Sequence, residues 1–431
     1  MRRRSMLLLL FVLFTIIHVF IANDSSAQWT PGGIPVCIYS GPQRNTRVIT
    51  NEDGDAIIAW TDIRNSTIYW YYTAKLNRKG FLDFPTISQD GICISCDLDA
   101  SGAFPVSDGT GGAIYSYTFQ PTQIPTGYRH AAAKRLDASG NRVWGLDGIP
   151  LSTETDSSKI YIESVSDGSG GAISFWSDKR NGDYDIYAQR IDGNGNILWA
   201  STGITVYSGS MDQNVSRAIS DDDGGAIVIW YEPSYGNFNI QAQRIDSNGN
   251  LLWNASGVTV IDVAANGYYF TYPIISDGGN GVIVSWCDDR SGDYDVYAQR
   301  VDASGTVLWT PSYTEVCTEA GDQTGVDIAP DQSGGAIICW TDDRVTDPGI
   351  YAQRIDPAGT ALWAGGGVAV FEEDNLRGIV SDGDGGAIIV WSVFVDIYTD
   401  NMIYAQRLSS SGTKLWDPSG VFIEDGNPES S

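Results

Sequence analysis

Histidine is nearly absent from this chain, which carries only His18 and His130. His18 falls in an apolar leader, so one imidazole remains for any chemistry in the mature protein, and that argues against histidine-based triads, multi-histidine zinc centres and phosphohistidine transfer. Basic residues are scarce too, 26 against 53 acidic ones, for a net charge of −27. A surface of that sign repels phosphate backbones and anionic lipid, so nucleic acid is not an expected partner. Helical patterning is lacking, and beyond residue 22 no apolar run could span a membrane. Cysteine is sparse and irregular: Cys37, Cys93, Cys96, Cys287, Cys317 and Cys339 follow no disulfide framework, and a lone C-x-x-C specifies no metal. Cys287 and Cys339 adjoin strand tryptophans, where they are expected as small buried apolar residues.

What is present begins with Arg2 to Arg4, an apolar run from Met6 to Ala22, and the small residues Ser25, Ser26 and Ala27. That is the layout of a secretory signal peptide over residues 1–27. The expected division is then a repeat domain over 28–424 and a short polar tail over 425–431, secreted or periplasmic, free of the membrane after cleavage and monomeric.

The repeat is clearest from Ser166 to Trp199, SDGSGGAISFWSDKRNGDYDIYAQRIDGNGNILW. AISFW and DIYAQRID read as paired strands, and NILW as a further short one. Between them the D-G-N-G turn at Asp192–Gly195 puts Asp first and a glycine able to take positive φ last. Trp176 recurs as Trp60, Trp230, Trp286, Trp340 and Trp391, with Tyr117 in the remaining slot, a period of about 55 residues. A basic residue marks the following strand seven times, at Lys75, Arg135, Arg190, Arg244, Arg300, Arg354 and Arg407. Trp199, Trp253, Trp309 and Trp363 are expected as equivalent buried packing residues between repeats. The pattern W-x-x-x-G-x-x-V, seen at Trp199–Val206 and Trp253–Val260, stands at Trp29–Val36 and again near the end at Trp416, so terminal strands are expected to join the first and last repeats.

Strands such as AIVIW from Ala226 and VIVSW from Val282 are apolar on both faces, so both faces must be covered. Seven four-stranded antiparallel units packed face to face satisfy this, and the expected fold is an all-β, seven-bladed β-propeller.

The pattern D-G-x-G-G-A-I-x-x-W-x-D-x-R, followed by D-I-Y-A-Q-R and D-x-x-G-x-x-L-W, resembles the repeats of exported bacterial propellers related to the sialidase superfamily. The turn at Asp192–Trp199 is similar to that superfamily's Asp-box, with one more residue between Asp and Gly and no leading Ser or Thr. The resemblance also extends to the tryptophan-docking repeats of quinoprotein dehydrogenases, whose Asp-to-Gly interval differs. The sialidase resemblance implies a Tyr nucleophile assisted by Glu, an Asp acid/base and an Arg cluster for a substrate carboxylate. No Arg-Ile-Pro motif accompanies it.

The repeated W-x-D-x-R pairs, Asp62 with Arg64, Asp178 with Arg180, Asp288 with Arg290 and Asp342 with Arg344, are expected as turn clamps. The D-x-D-G-G turns lack the spaced ligands and terminal Glu of a calcium hand, so turn chemistry is expected, no metal ligand is assigned, and Ca2+ is the single cofactor left open. Repeats two, four and seven lose W-x-D-x-R, and function is sought in such departures. Repeat four carries Tyr231, Glu232, Tyr235 and Phe238, and the connection into repeat five carries Tyr268, Tyr269 and Tyr272. These seven form the expected ligand site, where aromatic faces beside a carboxylate suit sugar stacking; simple packing of the rings is the competing reading. The expected function is a secreted, non-catalytic binding propeller for carbohydrate or protein, with a sialidase-like glycoside hydrolase and a structural surface protein as alternatives. No catalytic residue is assigned.

Overall fold

The computed structural model describes residues 36, 37 and 43–424, apart from 63–69, 84–90, 97–98, 122–126, 233–236, 266–271, 310–312, 373–374 and 394–401. The expected signal peptide and tail lie outside the described residues, as does Arg64. The chain is all β: seven four-stranded antiparallel sheets, each built from four consecutive strands, forming a seven-bladed β-propeller. Blade three shows the plan, with strands Lys159–Ser166, Ala172–Asp178, Asp185–Ile191 and Ile204–Tyr207 in spatial order. The fourth strand falls at the end of the W-x-x-x-G-x-x-V pattern, and NILW is not a strand of its own. Ile197 makes a single bridge to Ile191, the chain turns past Trp199, and pairing resumes at Ile204.

By contact the strands fall into two compact units. The first holds blades one to three, the opening strand of blade four (Asn214–Ser220) and the turn 246–250; the second holds the remainder of blade four and blades five to seven. Blade seven completes itself with Val421–Glu424, and blade one with Ile92–Cys93, so among the described residues no terminal strand is exchanged between them. Of the amino-terminal strand copy only Val36 and Cys37 are described, and they pack in the core of blade one beside Trp60.

Central tryptophans Trp60, Trp176, Trp230, Trp286, Trp340 and Trp391, with Tyr117, are all fully buried. In blades three, five and six the expected clamp is formed: Trp176 Nε1 donates to Asp178 at 3.0 Å, Arg180 pairs with Asp178 at 2.5 Å, and its guanidinium lies 3.8 Å over the Tyr187 ring. Arg344 repeats this with Asp342 and Tyr351, and Arg290 with Asp288 and Tyr297.

A second clamp joins neighbouring blades within each unit. The D-G-x-G-G aspartate turns one oxygen on backbone amides, Asp167 Oδ1 accepting from Gly171 N–H at 2.7 Å, and offers the other to the third-strand arginine, Arg190 Nε at 2.9 Å. That arginine also donates to a carbonyl in the next repeat's turn, Arg190 to Ser247 and Arg300 to Pro357. The predicted packing tryptophans end on the same carbonyls, Trp199 on Ser247, Trp253 on Ala303, Trp309 on Pro357 and Trp363 on Ser410. Trp253 and Trp309 are buried, whereas Trp199 and Trp363 are half-buried, because their outer edges face solvent.

Candidate functional site

First strands are bent near their start by bulges. In blades one, two, three and six one residue there adopts a left-handed conformation: Asn45 at φ 52°, Gly102 at 72°, Tyr161 at 51° and Gly325 at 63°. Pairing with the second strand slips at the same points, between Arg44 and Arg47, Ser101 and Phe104, and opposite Phe175 to Ser177 in blade three. Glycine and asparagine take this conformation readily; a tyrosine carries a strain of about 1–2 kcal/mol. Tyr161 is also 53% exposed, so this strained ring stands at the surface.

The bulges of blades one to three open a cavity of about 550 Å³ within the first unit. Arg44, Asn45, Ala100, Ser101, Ile160 and Tyr161 line it from the first strands, Thr61 and Thr118 from the second, Tyr71 from Trp70–Leu76, and Arg129 from the approach to His130–Leu136. Hydrogen bonds fix much of this wall. Tyr71 Oη accepts from Gly102 N–H at 2.6 Å, Asn45 Nδ2 reaches Thr61 Oγ1 at 3.5 Å, and Arg129 Nη2 donates to the Thr118 carbonyl at 3.3 Å. Arg44 is exposed. His130 lies tilted against Phe119, ring centroids 5.8 Å apart, and burial together with the Lys159 charge lowers its pKa. Among the described residues that line the cavity two are arginines and none is acidic.

Past the bulges, the same strands carry Arg47, Phe104 and Glu163, joined by Arg217 of the neighbouring strand. Arg217 Nη1 lies 3.2 Å from Glu163 Oε1, and the Arg47 guanidinium sits 4.9 Å over the Phe104 ring. Burial pushes the Glu163 carboxyl up to about 7, and the two arginines only partly offset this.

Of the seven residues expected at the site, Tyr231, Glu232 and Tyr272 have described side chains, and these three are not among the lining residues of this cavity. Tyr231 and Tyr272, in the second unit, meet edge to face with centroids 5.7 Å apart, as the shared side of their two connections requires. Tyr272 is 4% exposed, and burial raises its hydroxyl pKa well above the ordinary value. Glu232 is half-buried. Tyr235, Tyr268 and Tyr269 lie outside the described residues, as does the side chain of Phe238. Of the groups implied by the sialidase resemblance, the cavity gathers tyrosines and arginines, with no glutamate or aspartate among its described lining residues. Sequence reasoning missed Arg44, Arg129 and Tyr161. A signal existed: aligned on the central aromatic, the bulge position reads Asn45, Gly102, Tyr161 and Gly325, so Tyr161 breaks a small-residue pattern, and Arg129 belongs to repeat two, which departs from W-x-D-x-R.

No protein-family model matches the sequence, and no curated protein matches it either. Solved structures similar to the chain include a puromycin hydrolase, at 14% identity and TM-score 0.48 over 92% of this chain and 58% of that one. An ulvan lyase bound to an oligosaccharide matches at 10% identity and TM-score 0.49, covering 90% of this chain and 96% of that one. A Hadza microbial sialidase matches at 12% identity and TM-score 0.36, covering 76% and 71%. The chain spans less than two thirds of the length of the puromycin hydrolase.

Proposed function

We propose that the chain is an exported, non-catalytic binding propeller and that the cavity of blades one to three takes an acidic carbohydrate. The observation that supports this is the sign of the charge: among the described residues two guanidinium groups and no acid line the cavity, in a chain of net charge −27. Arginine forks match the oxygens of carboxylate and sulfate groups, and such charge-assisted hydrogen bonds are the stronger kind. Tyr161 adds an exposed flat face at the rim, while Asn45, Thr61 and Ser101 offer polar groups for sugar hydroxyls. The volume suits a small ligand. The Cys93–Cys96 disulfide fits an exported chain.

An array of glycans bearing uronic acid, sulfate or no charge tests the reading. Acidic glycans should bind, and binding should weaken with salt and fall in an Arg44→Ala/Arg129→Ala variant. Binding confined to neutral glycans, or undiminished in that variant, would remove the proposal. Release of sugar from fluorogenic glycosides would replace it with a glycoside hydrolase.

A further inference from the structure

We propose that Cys93–Cys96 is a thiol–disulfide exchange site, open to small dithiols and to glutathione, whose state sets the Tyr71 wall of the cavity. The proposal does not depend on what the cavity binds. Both cysteines of the pair are half-buried. Cys37, Cys287, Cys317 and Cys339 are buried, and burial drives the Cys317 thiol up to about 12 and raises those of Cys287 and Cys339 well above the ordinary thiol value. Among the described residues, then, this pair alone offers sulfur to an incoming thiolate.

The fold does not require the bond. Blade two takes the same backbone path without it: Leu151 N–H donates to the Ala131 carbonyl at 3.0 Å, as Ile94 N–H donates to Tyr71 at 2.7 Å, with Pro150 and Thr153 in the places of Cys93 and Cys96. Linking residues three apart also removes little chain entropy. Cations sit on the turn instead. Arg142 Nη2 donates to the Cys93 carbonyl at 2.9 Å, and Lys134 Nζ donates to the Ile94 carbonyl at 2.8 Å. Positive charge there stabilises the thiolates that reduction produces, which makes the sulfurs better leaving groups.

Inside the turn lie the two residues that hold Tyr71. Ser95 Oγ accepts from Tyr71 N–H at 2.9 Å, Ile94 N–H closes on the Tyr71 carbonyl, and the Tyr71 hydroxyl in turn accepts from Gly102, the left-handed residue of the blade-two bulge. In the exchange, a thiolate of the dithiol attacks one cysteine sulfur and the S–S bond breaks to give a mixed disulfide. The partner cysteine leaves as a thiolate in that step, and the second thiol of the reagent then displaces the attacked cysteine. Two electrons and two protons pass to the pair, leaving two cysteine thiols and a cyclic oxidised dithiol.

The test uses the full chain, treated with dithiothreitol or poised in glutathione buffers, trapped with iodoacetamide and mapped by mass spectrometry, with amide hydrogen exchange as the second readout. Cys93 and Cys96 should be alkylated while the other four cysteines are not. Exchange of the Tyr71 and Gly102 amides should quicken about tenfold on reduction, and equally in a Cys93→Ser/Cys96→Ser variant, with little change in melting temperature. Arg142→Gln, at an exposed position, should shift the midpoint to several-fold more reducing glutathione ratios. A pair that resists reduction in the folded protein would overturn the proposal, as would unchanged exchange at Tyr71 and Gly102. Faster exchange spread evenly over Trp70–Leu76 would do the same, by showing a plain structural staple.

Discussion

Replacing Gly359 by alanine isolates the contact that couples one blade to the next. Gly359 closes the turn of blade six at φ 88°, and a Cβ there would lie 2.8 Å from Cγ and Cδ1 of Trp309 and equally close to Thr314 Oγ1. Trp309 is 2% exposed, and its indole N–H is tied to Pro357 at 3.1 Å, so the ring cannot simply swing away. Gly383 supplies the control: its φ is 79°, yet nothing stands within 4 Å of an added Cβ. Alanine in the left-handed region costs about 1–2 kcal/mol at either site. Overpacking against Trp309 adds about 1–3 kcal/mol at Gly359 alone. Urea unfolding at constant m should therefore show a loss of about 1–2 kcal/mol for Gly383→Ala and about 2–5 kcal/mol for Gly359→Ala. In a Trp309→Ala background, itself down by about 3–5 kcal/mol, the cost of Gly359→Ala should fall toward that of Gly383→Ala, with the Thr314 contact remaining. Equal losses at the two glycines, or strict additivity with Trp309→Ala, would refute the reasoning.

Arg300→Met should cost about 3–5 kcal/mol in urea unfolding, because it strands the Asp277 carboxylate, whose side chain is 1% exposed, and frees the Pro357 carbonyl. The Glu163 carboxyl holds its proton to about pH 7, above its ordinary value of 4.5, so the folded state binds protons more tightly than the unfolded one between those values. Its contribution is present in full below 4.5 and is lost as pH rises through 7, on the order of 3 kcal/mol in all. Glu163→Gln should abolish that slope when stability is compared at pH 5 and pH 8; an identical slope in the variant would assign it elsewhere. Acrylamide should quench Trp199 and Trp363 more than Trp253 and Trp309, read in single-tryptophan-deletion variants, since only the latter two are buried.

The blades were legible because their causes are local and repeated seven times. A tryptophan flanked by apolar residues must be covered on both faces, and Asp followed by glycines makes the turn that the third-strand arginine then grips. The W-x-x-x-G-x-x-V pattern marks the fourth strand, which forms at its end, whereas NILW reads as a strand because its L-W pair looks like one, while Trp199 in fact leaves the sheet to reach a carbonyl in the next repeat. The cavity was not legible, since it depends on bulges in three separate first strands bringing Arg44, Tyr161 and Arg129 together, and bulges follow from backbone conformation more than from apolar periodicity. Tyr231 and Tyr272 meet because both flank connections on the same side of a blade.

The most direct test of the cavity's role is calorimetric titration of the protein with an acidic oligosaccharide chosen by the glycan array, beside the same oligosaccharide with its carboxylates reduced to alcohols. If Arg44 and Arg129 hold the acid, the reduced sugar should bind about 10–100-fold more weakly, the worth of one or two charge-assisted hydrogen bonds. The Arg44→Ala/Arg129→Ala variant should no longer tell the two sugars apart. Equal affinity of the unaltered protein for both would contradict the account.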